Sequence, residues 1–112
     1  MSINTKPLAG KTVIDLTTAL AGPYATLLLA GLGARVIKVE NPTRGGDSSR
    51  NNSPYVTSQG LNVRRTSEDD MSVSMMLRGR GKESVTLTLK HPESKQVLFD
   101  LIAEADIVVE NY

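Results

Sequence analysis

The chain has 112 residues, with 13 basic and 12 acidic side chains, one histidine and no cysteine. That length suits one small domain with a modest core, and the near-neutral balance gives no nucleic-acid surface and no general attraction to anionic membranes. Without cysteine there is no disulfide, no thiolate metal site and no cysteine nucleophile. The longest apolar run, Leu27 to Ala30, is far too short to span a bilayer, and the N-terminus lacks the basic-then-apolar order of a signal peptide. The expectation is a soluble cytoplasmic protein.

Thr12 to Leu16, rich in β-branched residues and preceded by Gly10, predicts a buried parallel strand. Pro23 suits the first position of a helix, where its missing N–H costs nothing. Ala25, Leu28, Leu29 and Leu32 then recur at helical spacing and predict the buried face, with Gly33 as a left-handed stop. Val36 to Val39 is the next strand, so the two strands should pair in parallel through a right-handed crossover.

From Asn41 to about Met71 the periodicity vanishes among Gly, Ser, Asn, Pro and mixed charges. The stretch 41–75 is read as a long surface loop, with room for a short helix. Ser84 to Leu89 alternates and predicts a strand near an edge. Pro92 opens a second helix with Glu93 in its first turn and Val97, Leu98, Leu101, Ile102 and Ala105 as its buried face. Asp106 to Glu110 is the last strand. Together these give an α/β layer fold with a mostly parallel sheet flanked by helices. A parallel sheet needs both faces covered, so the pattern reads as the first part of a larger protein.

Asp15 and Glu40 end the first two strands, where open α/β sheets gather their ligands. An acid after the second strand can bond a ribose hydroxyl, or it can form a cap or a loop salt bridge; spacing leaves both readings open. The turn between strand and helix has no G-x-G-x-x-G, which weakens a dinucleotide reading. Gly45-Gly46-Asp47 and Gly79-Arg80-Gly81-Lys82 can approach phosphate or serve as plain turns, and neither is a P-loop. His91 precedes Pro92 at a helix start and suits a cap better than catalysis. One histidine without cysteine gives no metal site.

Several segments together resemble the family III CoA-transferases, which include formyl-CoA transferase, the carnitine CoA-transferases and the α-methylacyl-CoA racemases. They are D-L-T-x-x-x-A-G-P at Asp15 to Pro23, L-G-A-x-V-I-K-V-E at Leu32 to Glu40, G-G-D-S-S-R at Gly45 to Arg50, R-G-K-E-S-V-T-L-T-L-K ending at Lys90, and A-D-x-x-V-E-N ending at Asn111. The match spans nearly the whole chain outside 51–75 and only about the first quarter of a typical member. The resemblance implies a Rossmann-like large domain, of which residues 1–112 form the N-terminal part, and an interlocked homodimer. It implies transfer of coenzyme A between carboxylic acids. An aspartate attacks the acyl-CoA thioester, and CoA then returns to give an aspartyl thioester. Acyl-CoA and carboxylic acid are substrates, and no permanently bound cofactor is expected.

Carried over position by position, the resemblance places Leu20 and Ala21 near the pantetheine and thioester end. Leu20 stands where formyl-CoA transferase has glutamine, and Thr18 where it has histidine. Asn41 falls on the adenosine-side contact, an arginine in that enzyme. Leu87, Thr88, Leu89 and Lys90 match a further contact strand, with Thr88 in place of an aspartate and Lys90 retained to face a phosphate. Asn111 and Tyr112 end the match, the tyrosine replacing a common phenylalanine. The catalytic aspartate lies downstream in the family; Asp15, Asp47 and Asp106 occupy other motif positions, so no catalytic residue is assigned. The 112 residues alone are expected to be inactive and marginal as a fold. The Ser67 to Ser72 charge run, in a region longer than in formyl-CoA transferase, reads as a solvated loop. Alternative readings are an acyl-CoA racemase of the same family, a stand-alone nucleotide-binding module and a non-catalytic interaction fragment.

Overall fold

In the computed structural model, which describes residues 5–112, the β-branched run Thr12–Asp15 forms β1 and leads through a tight turn into helix α1, Ala21–Gly31. Strand β2 is Arg35–Glu40. Two 3-10 turns, Pro42–Arg44 and Ser48–Asn51, precede the short strands β3, Tyr55–Thr57, β4, Gly60–Asn62, and β5, Met71–Ser72. Helix α2 is Val73–Arg78, β6 is Glu83–Thr86, α3 is Pro92–Ala103 and β7 is Ile107–Val109.

Four strands pair in parallel in the order β6-β2-β1-β7, with Val13 opposite Val36 and Ile107, and Val39 opposite Val85. This is the α/β fold with a parallel sheet and flanking helices that the periodicity implies. Side chains alternate across a strand, and here the alternation sorts two cores. Ile14, Leu16 and Val39 pack with Leu98 on the α3 face, while Val13, Ala34 and Val36 pack with Leu29 and Ala30 on the α1 face. By the same parity Asp15, Lys38 and Glu40 fall on the α1 face, at the carboxyl ends of their strands. The apolar layer under α1 therefore turns polar at its top.

Helix α1 differs from its periodicity. It begins two residues before Pro23 and buries Gly22, Pro23 and Thr26, while Ala25 is exposed and Leu28 and Leu32 are 52% and 45% exposed. The physical reason lies at its first turn. Thr26 Oγ1 donates to the buried Asp15 carboxylate at 2.6 Å, and Gly22 sits so close to Thr17 that a Cβ there would lie 2.4 Å from the Thr17 Cβ. These two contacts set the helix rotation and leave Leu20, Tyr24, Leu28 and Leu32 as an exposed stripe. The stop at Gly33 is as expected: φ is +104°, Gly33 N–H donates to Ala30 O and Ala34 N–H to Leu29 O, a Schellman closure.

Helix α3 has Pro92 in its first turn and buries Leu98, with Leu101, Ile102 and Ala105 packed around the same core. Val97, expected on that face, is 44% exposed. His91 occupies the N-cap position, but its side chain makes no capping bond. Strand β6 lies at the sheet edge and ends at Thr86, so Leu87 to Lys90 form the turn into α3 rather than more strand. Among the described residues no helix is long and apolar enough to cross a membrane.

The stretch 41–75, read as a surface loop, carries structure of its own: both 3-10 turns and a three-stranded antiparallel sheet of order β4-β3-β5. Tyr55 is buried there beneath the Arg65 guanidinium, 5.0 Å from its ring centroid. Arg65 in turn donates to Asp70 O and Arg50 O. Asp70, assigned to a solvated charge run, is buried and accepts from Thr66 N, Thr66 Oγ1 and Ser67 N. The chain measures 43 × 43 × 22 Å, with a radius of gyration of 15.4 Å. A compact domain of this length would have about 13 Å, so the sheet and its appendage form a slab.

Gly22→Ala should destabilise the fold by about 1–3 kcal/mol, because the new methyl meets Thr17, itself fixed on Asp15. A urea midpoint equal to that of the unsubstituted protein would show that the helix can shift freely.

Candidate functional site

At the carboxyl ends of β1, β2 and β6 lies a cleft of about 590 Å³. Its lining includes Thr17 and Thr18 from the first turn, Asn41, Thr43 and Arg44 after β2, Leu87, Thr88, Leu89 and Lys90 after β6, and Tyr112 after β7. The site candidates Asn41, Leu87, Thr88, Leu89, Lys90 and Tyr112, from three separate stretches, are thus brought together. Leu87 and Leu89 also pack on the α3 core, which anchors their turn. Lys90 is exposed at the rim. Asn41 accepts from Thr43 N–H and Oγ1, capping its own 3-10 turn.

Leu20, Ala21 and Asn111 stand apart from this lining. Leu20 is 65% exposed and Ala21 opens α1. The Asn111 amide is spent on the first turn: Thr18 N–H donates to its Oδ1 at 3.2 Å and its Nδ2 donates to Thr18 O at 3.0 Å. Arg44 and Thr43 escaped the sequence reading. The signal for Arg44 was its place three residues after Asn41, where a cation was expected and missing.

Beneath the cleft is a buried cluster of charges. Lys82 Nζ lies 3.0 Å from Asp15 Oδ2 and donates to Thr26 Oγ1 and Pro23 O. Lys38 Nζ lies 2.6 Å from Asp47 Oδ2 and 3.9 Å from Asp15 Oδ2, and donates to Thr17 O. The approach to Asp47 Oδ2 is off the line of a directed bond, so this contact acts as an ion pair. Two acids and two lysines cancel. Burial opposes ionisation of Asp15, but bonds from Thr17 and Thr26 and the Lys38 charge outweigh it and hold the carboxyl below its ordinary range. Burial likewise opposes the charge on Asp47, and Lys38 with the Ser49 and Ala19 N–H groups outweighs it. For Lys82 burial prevails over the attraction of Asp15 and lowers its pKa.

Glu40 has its own partners. It is 4% exposed and accepts from Arg50 Nε and Nη2, each at 2.7 Å, from the Asp47 N–H at 2.8 Å and from the Ser84 hydroxyl. Burial raises its pKa, yet the bonds from Arg50, Ser84 and Asp47 prevail and bring it down to about 2. Neither Asp15 nor Glu40 is therefore open to a ribose; both are salt-bridged structural acids. The glycine turns resolve the same way. A Cβ on Gly46 would lie 2.7 Å from Glu40 Oε1, so that glycine admits a carboxylate, and Lys82 after Gly81 turns inward to Asp15.

A parallel sheet with a cleft of this size at its carboxyl ends has the form in which α/β proteins hold their ligands. The model of CoA-transferase family III matches residues 8–112, and the chain belongs to that family. It is 38% identical over 109 residues to the succinyl-CoA:glutarate CoA-transferase of Homo sapiens, covering 97% of this chain and 22% of that protein. It is 44% identical over 100 residues to the succinyl-CoA:mesaconate CoA-transferase of Haloarcula marismortui, covering 89% and 23%. Similarity to the acetyl-CoA:oxalate CoA-transferase of Acetobacter aceti is 38% over 106 residues, covering 95% and 24%. Among solved structures, a CAIB/BAIF family protein from Brucella suis superposes with a TM-score of 0.81 at 34% identity, covering 97% of this chain and 26% of that one. The chain spans about a quarter of the length of these relatives.

Two tests address the charges. Lys82→Met leaves Asp15 buried with only Lys38, at 3.9 Å, and should cost about 3–5 kcal/mol in urea unfolding; a loss below about 1 kcal/mol would mean that water reaches the site. For Glu40, the folded pKa of about 2 lies below the ordinary 4.5. The folded state thus binds fewer protons there than the unfolded chain, so its contribution is complete above about 4.5 and is lost as pH falls towards 2. Glu40→Gln should flatten the acid limb of a stability-against-pH curve, and equal limbs in the two proteins would remove Glu40 as a cause.

Proposed function

We propose that these residues form part of the coenzyme A cradle of a CoA-transferase that moves CoA between dicarboxylic acids. The observation that carries this reading is the convergence of Asn41, the Leu87–Lys90 turn and Tyr112 on one cleft at the strand ends. Lys90, with Arg44 across the cleft, supplies positive charge for the CoA phosphates. Asn41 and Tyr112 flank the adenosine end, the tyrosine offering a ring face. Leu20 and Ala21, outside the cleft at the head of α1, take the pantetheine and thioester end, and Asn111 serves by shaping their turn.

The three transferases described above are each named with a dicarboxylic acid as acceptor: glutarate, mesaconate or oxalate. That favours transfer over racemisation. In the complete enzyme an aspartate outside these residues attacks the thioester, releasing CoA thiolate and forming a mixed anhydride. The thiolate then attacks the aspartyl carbonyl, releasing the first acid and leaving an aspartyl thioester. The second acid reverses both steps. The segment described here binds and orients CoA, and by itself transfers nothing. A homodimer is proposed for the complete enzyme. The stand-alone nucleotide-binding reading loses its support, because Asp15 and Glu40 are buried in ion pairs.

In the full-length protein, Lys90→Ala should raise KM for succinyl-CoA about tenfold, equivalent to about 1.4 kcal/mol, with kcat within about twofold. An unchanged KM would take Lys90 out of the site. No transfer from succinyl-CoA to glutarate, mesaconate or oxalate would sink the proposed activity.

A further inference from the structure

We infer that Asp47 and Ser49, backed by Arg78, are positioning residues that hold the turn between β1 and α1 in its reactive shape. The turn contains Ala19 at φ +69°, the only non-glycine residue at positive φ among those described. An alanine stays in the left-handed region only where its surroundings over-determine it. Here both polar groups of its backbone are taken by residues about thirty positions away. Ala19 N–H donates to Asp47 Oδ1 at 3.0 Å, and Ser49 Oγ donates to Ala19 O at 3.0 Å.

A serine hydroxyl has one hydrogen to give, so its direction must be chosen. Arg78 Nη2 donates into Ser49 Oγ at 3.2 Å, which fills an acceptor position and leaves the hydrogen for Ala19. Asp47 and Ser49 are both buried, and Asp47 Oδ1 also accepts the Ser49 N–H at 2.8 Å, so they act as one unit. Lys38 on Thr17 O and Asn111 on Thr18 fix the two preceding residues. The N-cap residue Leu20 makes no side-chain cap of its own. The shape of the turn is thus imposed from outside it, immediately before Leu20 and Ala21.

This inference rests on the reading above, in which Leu20 and Ala21 adjoin the thioester. A clamp of this kind sets the geometry of attack and leaves the distant hold on CoA alone, so it should act on kcat. The test uses the full-length enzyme with succinyl-CoA and glutarate. Ser49→Ala should lower kcat about tenfold with KM for succinyl-CoA within about twofold, and Ser49→Thr, which keeps the hydroxyl, should recover most of the loss. The double variant Ser49→Ala with Ala19→Gly is measured alongside, because glycine adopts positive φ freely and removes the folding cost. It should regain thermal stability but not kcat. An active wild type whose Ser49→Ala variant keeps full kcat overturns the inference alone, as does a double variant that regains stability and kcat together. A wild type inactive with this pair and with mesaconate and oxalate overturns the functional reading and this inference with it.

Discussion

The ion cluster of Asp15, Lys38, Asp47 and Lys82 ties the ends of the first two strands to the first turn of α1 and to both ends of the 41–82 excursion. Asp15 and Lys38 come from adjacent strands, Asp47 from the turn after β2 and Lys82 from the approach to β6. A lone buried charge is costly, and a lone buried pair often gains nothing over apolar packing. This cluster differs in being neutral overall and in having every member hydrogen-bonded, with Asp47 Oδ2 alone held by an ion pair and no directed bond. Thr17 and Thr26 donate to Asp15, and the lysines give their remaining protons to Thr17 O, Pro23 O and Thr26 Oγ1. Such a network accepts one arrangement of its parts, which is why it sets the helix rotation as well as the strand ends.

The same cluster explains how a long excursion can leave the sheet without disturbing it. The chain departs through Asp47 and Arg50 and returns through Lys82 and Ser84. Departure and return are both pinned to Asp15 and Glu40: Arg50 and Ser84 bind Glu40, Lys82 binds Asp15, and Lys38 links Asp47 to the group. Between these anchors the small β4-β3-β5 sheet has its own supports in Tyr55, Arg65 and Asp70. Loop closure grows only slowly in cost with length, so a longer insertion is tolerable once its ends are fixed.

The strands of the parallel sheet were legible because β-branched runs between glycines and turns have few other readings. The Schellman stop at Gly33 was legible for a similar local reason. The face of α1 was not. Its residues Leu27 to Leu32 are apolar nearly all round, so periodicity could not choose a side, and the choice was made by Thr26 and Gly22 through Asp15 and Thr17 in the preceding strand and turn. The excursion was opaque because its order comes from polar contacts such as Asp70 with Thr66 and Ser67, which leave no hydrophobic period. The cleft residues Asn41, Leu87 to Lys90 and Tyr112 were visible only through resemblance, since nothing in their spacing joins them. The true use of Asp15 and Glu40 was one of two readings open at the start, and burial decides between them.

The cleft proposed above to hold the CoA phosphates should be positive at its rim, yet two of its lining residues, Glu40 and Asp47, are acids. Burial resolves the conflict. Both carboxylates face inward and are neutralised by Arg50 and Lys38, so their fields are largely cancelled at the opening. The charges that remain exposed on the lining are Arg44 and Lys90. The acids do their work beneath the surface, holding the strand ends and the Ala19 turn, while the cations above them are free to meet an anion. The missing glycine fingerprint fits this division. A G-x-G-x-x-G turn brings phosphate against the head of α1, whereas here that turn is filled by Thr17 and Thr26 bonded to Asp15, with Gly22 packed on Thr17, and the positive rim lies after β2 and β6.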